Sequence, residues 1–204
     1  MRRSIRYKIN SESLGLIRSI VSLELVQILI EKDGLFIHDD GVEVYNSVPF
    51  KPVILVFEKR EQRIFIEIHM IGGENEVYYD ITGFAFKKGV LPSNVQDTSS
   101  ELMNQFISSS YHEIPISKSV SSVGILENEL ETFEQFTNNP LHINVDSAIV
   151  FHHKTDVTVI SLSYNCLYVY PNMNVSVSEF LEAYLEPIKG LDKTSFSYRQ
   201  ISYS

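Results

Sequence analysis

The chain has 204 residues and one cysteine; 44% of it is hydrophobic, 21% is charged, and the formal net charge is −9. That balance excludes intrinsic disorder, and at this length folding hides roughly 70% of the extended chain's surface, enough for a core without staples. Cys166 alone cannot form an intrachain disulfide, and the acid excess repels phosphate backbones, so a reducing compartment and a partner other than nucleic acid are expected.

Four of the 17 bases, Arg2, Arg3, Arg6 and Lys8, precede the first acid, Glu12. The apolar run from Leu14 to Ile30 that follows raises the question of a signal peptide or anchor. Arg18, Glu24 and Gln27 interrupt it, it falls short of the roughly 20 residues a spanning helix needs, and no small-residue cleavage site follows. The expectation is a cytoplasmic protein with no membrane segment.

Alternation of Ile5, Tyr7 and Ile9 with Ser4, Arg6 and Lys8 predicts a short strand. Leu14 to Lys32 has a stripe at helical spacing (Leu14, Ile17, Val21, Leu25, Ile28) and reads as a helix buried on most sides and ended by Asp33-Gly34. LFIHDDGVEVYN reads as a hairpin with Asp40-Gly41 in the turn, Phe36 opposite Tyr45 and His38 opposite Glu43. A second hairpin turns at Glu61-Gln62 and pairs Phe57 with Ile66, Leu55 with Ile68 and Val53 with Met70. A further strand, EVYYDITGFAF, continues the meander.

Residues 89–124 are rich in serine around Pro92 and Pro115, with one helix opening at Thr98 and Glu101 and burying Leu102, Met103, Phe106 and Ile107. Another helix is expected where Leu126, Leu130 and Phe133 oppose Glu127, Glu131 and Glu134. INVDSAIVFHH and DVTVISLSYNCLYVY read as two strands joined at Lys154-Thr155. A last helix opens at Ser176 and Glu179, and SFSYRQISY closes as a strand with a bulge between Tyr198 and Ile201. The fold class expected is α+β, with antiparallel hairpins and about four helices packed on the sheet. Residues 1–204 then form a single domain; two lobes, 1–90 and 124–204, joined by a helical connector over 91–123, are the other arrangement the pattern permits.

Of the candidate chemistry, Glu67 and His69 stand two apart on a strand and therefore share a face, where a carboxylate orients an imidazole for acid–base work. His152, His153 and Asp156 form the densest group of metal-ligating residue types. Adjacent strand residues point to opposite faces, so these two imidazoles do not converge on one metal, and His153 facing Asp156 across the turn accounts for them. Cys166 sits among Ile160, Leu162, Tyr164, Tyr168 and Tyr170 and reads as an inert core thiol. No phosphate-binding glycine loop, nucleophile elbow, zinc or calcium motif is present, and no cofactor is implied.

The expectation for function is a non-enzymatic protein-binding protein of the immunity, inhibitor or chaperone-like kind. Its acidic surface would meet another protein, a basic one by charge, through Glu127, Glu131, Glu134, Tyr198 and Tyr203; homo-oligomerisation stays open. The alternative is a small hydrolase or ligand-binding domain using the Glu67 and His69 face.

Overall fold

The computed structural model describes residues 3–31, 36–39, 42–47, 51–60, 62–71, 83–89, 95–97, 106–108, 111–133, 138–163, 166–173, 179 and 194–202. In chain order they form β1 (Arg3–Tyr7), α1 (Ser11–Ile20), β2 (Glu24–Glu31), β3 (Phe36–Asp39), β4 (Val42–Asn46), β5 (Val53–Lys59), β6 (Gln62–Ile71) and β7 (Gly83–Lys88). There follow β8 (Val95–Asp97), β9 (Phe106–Ser108), β10 (Tyr111–Ser119), β11 (Ser122–Phe133), β12 (Pro140–His152), β13 (Val157–Ser163), β14 (Cys166–Met173) and β15 (Thr194–Ser202). The expected α+β class is corrected: strand dominates, and α1 is the only helix among the described residues.

Two large sheets carry the fold. One runs β15-β11-β12-β13-β14-β4-β3, with β1 added in parallel on β12; the other runs β10-β2-β5-β6-β7, and β8 pairs with β9 apart from both. The two sheets share one core. Leu25, Ile28, Val53, Leu55, Phe57, Ile66, Phe84 and Ile114 from the five-stranded sheet meet Val123, Ile125, Ile149, Phe151, Ile160 and Val169 from the other, with Ile17 and Ile20 of α1 alongside. Phe57 and Phe151 touch across the seam with ring centroids 6.4 Å apart and planes tilted by 53°. Each sheet also buries side chains on its other face: Leu126, Ala148, Val150, Val157 and Val159 on one, Leu29, Ile54 and Val56 on the other.

Double burial explains where helices were expected and strands stand. The helix over Leu14–Lys32 is real only to Ile20. Asn10 caps it, its Oδ1 accepting from Ser13 N at 2.8 Å. Ser22 then takes a left-handed conformation (φ 74°) and its N–H donates to Val120 O at 2.8 Å, turning the chain into β2. An irregularity between Leu25 and Gln27 in the β2–β5 pairing puts Leu25 and Ile28 on the same face three residues apart, a spacing that imitates a helix.

Residues 122–133, expected as a helix in part, are strand β11. Leu126 and Leu130 are four apart, a spacing that keeps one face in a strand as well as in a helix, and so are Glu127 and Glu131. Phe133 is the residue that breaks the period of two, and it is left 56% exposed. Phe106 and Ile107, placed in the connector helix, lie in β9; the rest of that helix, the final helix apart from Glu179, and most of EVYYDITGFAF fall outside the described residues.

The hairpins fared differently. Phe36 faces Tyr45 and His38 faces Glu43 as expected. In the second, Phe57 pairs with Ile64, Leu55 with Ile66 and Val53 with Ile68, so the turn is one residue earlier, with Arg60 at φ 49°. The partner of each residue moves by two positions, which leaves every side chain on its expected face. Lys154-Thr155 does join two strands, with His153 N donating to Asp156 O at 3.0 Å. DVTVISLSYNCLYVY is a hairpin in its own right, Ser163 facing Cys166, so Tyr168 and Tyr170 do not share a face with Ile160 and Leu162. No bulge interrupts β15: its pairing with β11 runs unbroken from Thr194 to Ser202. Tyr198 packs on the outer cluster and Ile201 on the main core, so both faces are apolar without any slip.

Asp146 ties the β1–α1 unit to the sheet. Ser147 is an extra residue in β12, since Leu126 faces Ala148 while Glu127 faces Asp146. The carboxylate this re-aims is wholly buried; it accepts from Ile9 N at 2.8 Å, Lys8 Nζ at 3.2 Å and Arg199 Nη2 at 3.2 Å.

Replacing Phe57 with alanine should cost about 3–5 kcal/mol, because it empties the seam between the sheets. Denaturant unfolding measures this, and a loss below about 1 kcal/mol contradicts the place given to Phe57.

Candidate functional site

Edge strands carry unpaired backbone donors and acceptors, and proteins ordinarily cover or blunt them. β15 ends its sheet: β11 takes one edge, and no described strand takes the other. Beside it, α1 and β15 enclose a groove of about 870 Å³ lined by Leu14, Gly15, Arg18, Ser19, Arg199, Gln200, Ile201 and Ser202. Four consecutive β15 residues contribute. A groove over one face of a strand would meet alternate residues, so this one follows the strand's edge.

Among the described residues the lining holds two arginines and no carboxylate, in a chain whose net charge is −9. Arg199, with 42% of its side chain exposed, gives one donor to Asp146 and retains others. Arg18, exposed in the last turn of α1, has no ion-pair partner among the described residues. Gly15 forms part of the helical wall, and a Cβ built there meets nothing within 4 Å. A glycine inside a helix costs about 1 kcal/mol against alanine, and packing does not require this one.

The residues singled out from sequence are dispersed. Glu67 and His69 do come together: His69 Nε2 donates to Glu67 Oε2 at 2.7 Å on the face of the five-stranded sheet away from the main core, where Gly89 packs against the carboxylate. Tyr111 lies near; partial burial, then Glu31 and Glu67, raise its pKa.

The acids of β11 meet bases of their own chain. Lys8 Nζ bonds Glu127 at 2.7 Å, and His142 Nε2 donates to Glu129 at 2.5 Å. Partial burial opposes ionisation of Glu127, but the hydrogen bond and charge of Lys8, with Asn144 and Arg199, outweigh it and hold the carboxyl below its usual range. Glu131, which is exposed, faces His142 across the strands. Glu134 and Tyr203 fall outside the described residues, and the Cys166 side chain is likewise undescribed.

His152 and His153 point to opposite faces. His152 Nε2 is hydrogen-bonded to Tyr198 Oη, the tyrosine ring passing over Gly124, where a Cβ would overlap it. His153 Nδ1 donates to Ser119 O at 3.1 Å and its Nε2 contacts Thr158 Oγ1 at 3.0 Å, while the Asp156 side chain pairs with Lys118. The side chain of Asp156 is thus turned to Lys118, and its tie to His153 is through the backbone. No group of three or more metal-ligating side chains is found among the described residues. Burial, then the charge of His153, lowers the pKa of His152; burial leads the lowering at His153 as well, and burial raises Tyr198 strongly.

Sequence reasoning named Tyr198 but missed Arg18, Arg199 and Gly15. A mid-helix glycine between Leu14 and Leu16, three residues before Arg18, was a usable signal only once α1 was known to stop at Ile20.

Comparison with protein families, curated proteins and solved structures returns no match. No helix among the described residues is long and apolar enough to cross a membrane.

Gly15→Ala should raise stability by about 0.5–1 kcal/mol, read by chemical denaturation, since helix propensity improves and no contact is lost. Below the imidazole's ordinary pKa of 6.5 the unfolded chain binds protons that buried His152 refuses. Stability is therefore full above that pH and falls as pH drops toward the folded value. Melting temperature measured from pH 7 to 5.5 should decline, and His152→Gln should flatten the decline; an unchanged slope rules out this histidine as its source.

Proposed function

We propose that this chain is a non-enzymatic protein-binding protein whose docking place is the groove between α1 and β15. The observation that carries the reading is a sheet edge that no described strand covers, walled by a helix. Backbone groups along such an edge give affinity, and side chains on the opposite wall give selectivity. Immunity, inhibitor and chaperone roles all consist of such binding. Of the acids of β11, Glu127 is ion-paired with Lys8 and Glu129 is hydrogen-bonded to His142, which favours the groove over the acidic strand as the docking place.

The hydrogen bond between His69 and Glu67 favours a second reading, ligand binding or acid–base chemistry on the five-stranded sheet. An imidazole held by a carboxylate is poised to move a proton, and a reacting partner on that face would complete the unit.

A photo-crosslinking residue placed at Ser19, on the groove wall, should give one discrete protein adduct in an extract of the native cell. The same residue at Lys88, exposed on β7, should not. The adduct should persist at the same yield in a Glu67→Ala/His69→Ala double variant. No discrete adduct at Ser19, or equal adducts at both positions, overturns the groove reading. Loss of biological activity in the double variant with its melting temperature preserved would transfer the site to the Glu67 and His69 face.

A further inference from the structure

Resting on the groove reading above, we infer that the partner docks as an extended segment bearing carboxylates, adding a strand to the edge of β15 that no described strand takes, with an acidic side chain against Arg18. Three independent features converge on this occupant. The groove runs along Arg199–Ser202 at a sheet edge that no described strand takes, and the main-chain donors and acceptors that such an edge turns outward on alternate residues are met in register by another extended backbone.

Its charge selects the sign. Among the described residues two arginines and no carboxylate line the groove, although acids outnumber bases 26 to 17 in the whole chain. Arg18 has no ion pair among the described residues, whereas Arg199 lines the groove but reaches across β11 to Asp146 on β12. A guanidinium presents a planar fork of donors that a carboxylate fills with two parallel bonds, a fit that lysine does not offer. Leu14 and Ile201 supply the apolar contacts that an alternating segment would cover with its intervening side chains.

Width is the third feature. Gly15 leaves open space on the helical wall where any larger side chain would project into the groove. A β-strand added beside β15 would lie about 4.8 Å from it, and the helix wall must stand clear of the side chains that strand turns toward α1.

The test uses the full chain and two labelled peptides about six residues long, the length of an ordinary strand, one alternating Glu with Thr and the other Lys with Thr. Fluorescence anisotropy should show binding of the Glu peptide, weaker at high salt, and none of the Lys peptide. Hydrogen exchange should slow at β15 amides in the complex. Arg18→Glu should weaken binding about tenfold or more, and Gly15→Leu should abolish it. Both variants sit at solvent-facing helix positions, and cooperative unfolding within a few degrees of the parent chain's melting temperature shows that they fold.

Equal binding of the two peptides, or an Arg18→Glu variant that binds as well as its parent, overturns the acidic specificity. The groove reading survives that result if Gly15→Leu still blocks binding. If neither peptide binds while the Ser19 crosslink captures its partner, the acidic-strand inference fails and the docking place stands. If neither peptide nor crosslink gives a signal, both fall.

Discussion

Everything in this fold depends on the dry seam between the two sheets. Phe57 and Phe151 meet there from opposite layers, and side chains of both sheets and of α1 close around them. Apolar burial of this kind is the chief favourable term in folding. The seam also sets the geometry outside it, since α1 rides on one end through Ile17 and Ile20 and so comes to stand beside β15. The groove is a by-product of where the helix had to go to bury its own apolar stripe.

The seam does not exhaust the apolar surface, because each sheet also buries side chains on its outer face. This second layer of burial governs what the amino-acid pattern could show. Hairpins with a turn signal between alternating residues were legible, as in Phe36 to Asn46 and at Lys154-Thr155. Elsewhere the alternation was masked by apolar residues on both faces. In β2, Leu25 and Ile28 face the main core while Leu29 belongs to the outer cluster, and a pairing irregularity adds a step of three. In β11, steps of four satisfy either period. A helix and a doubly covered strand write nearly the same run of letters, and only long-range pairing decides between them.

Candidate chemistry was legible to the same degree. Glu67 and His69 could be placed together because a strand carries its own geometry for residues two apart. The opposite facing of His152 and His153 followed from the same rule. Arg18 and Arg199, by contrast, are brought to one groove by packing between the first helix and a strand some 180 residues later, which local pattern cannot express. Tyr198 shows the limit most clearly. Its ring lies over Gly124 on the neighbouring strand to reach His152 on the next, so an aromatic expected at an interface is half withdrawn into the sheet.

The Lys8–Asp146 bond joins positions 138 residues apart, and the parallel ladder of β1 on β12 spans the same interval. Closing so long a loop carries an entropic cost that local contacts do not repay in advance, so topology of this kind slows folding toward the millisecond-to-second range. β1 can dock only after β12 has formed, and α1 is seated through Ile17 and Ile20 in the core that both sheets build. The nascent chain therefore passes through a stage in which β1 and α1 are made but β12 is not, and the clamp on Asp146 is complete only when Arg199, made later still, joins Lys8 and Ile9. Chaperone dependence during synthesis, and temperature-sensitive alleles clustering at Lys8, Asp146 and Arg199, are the biological signature such an assembly order would leave.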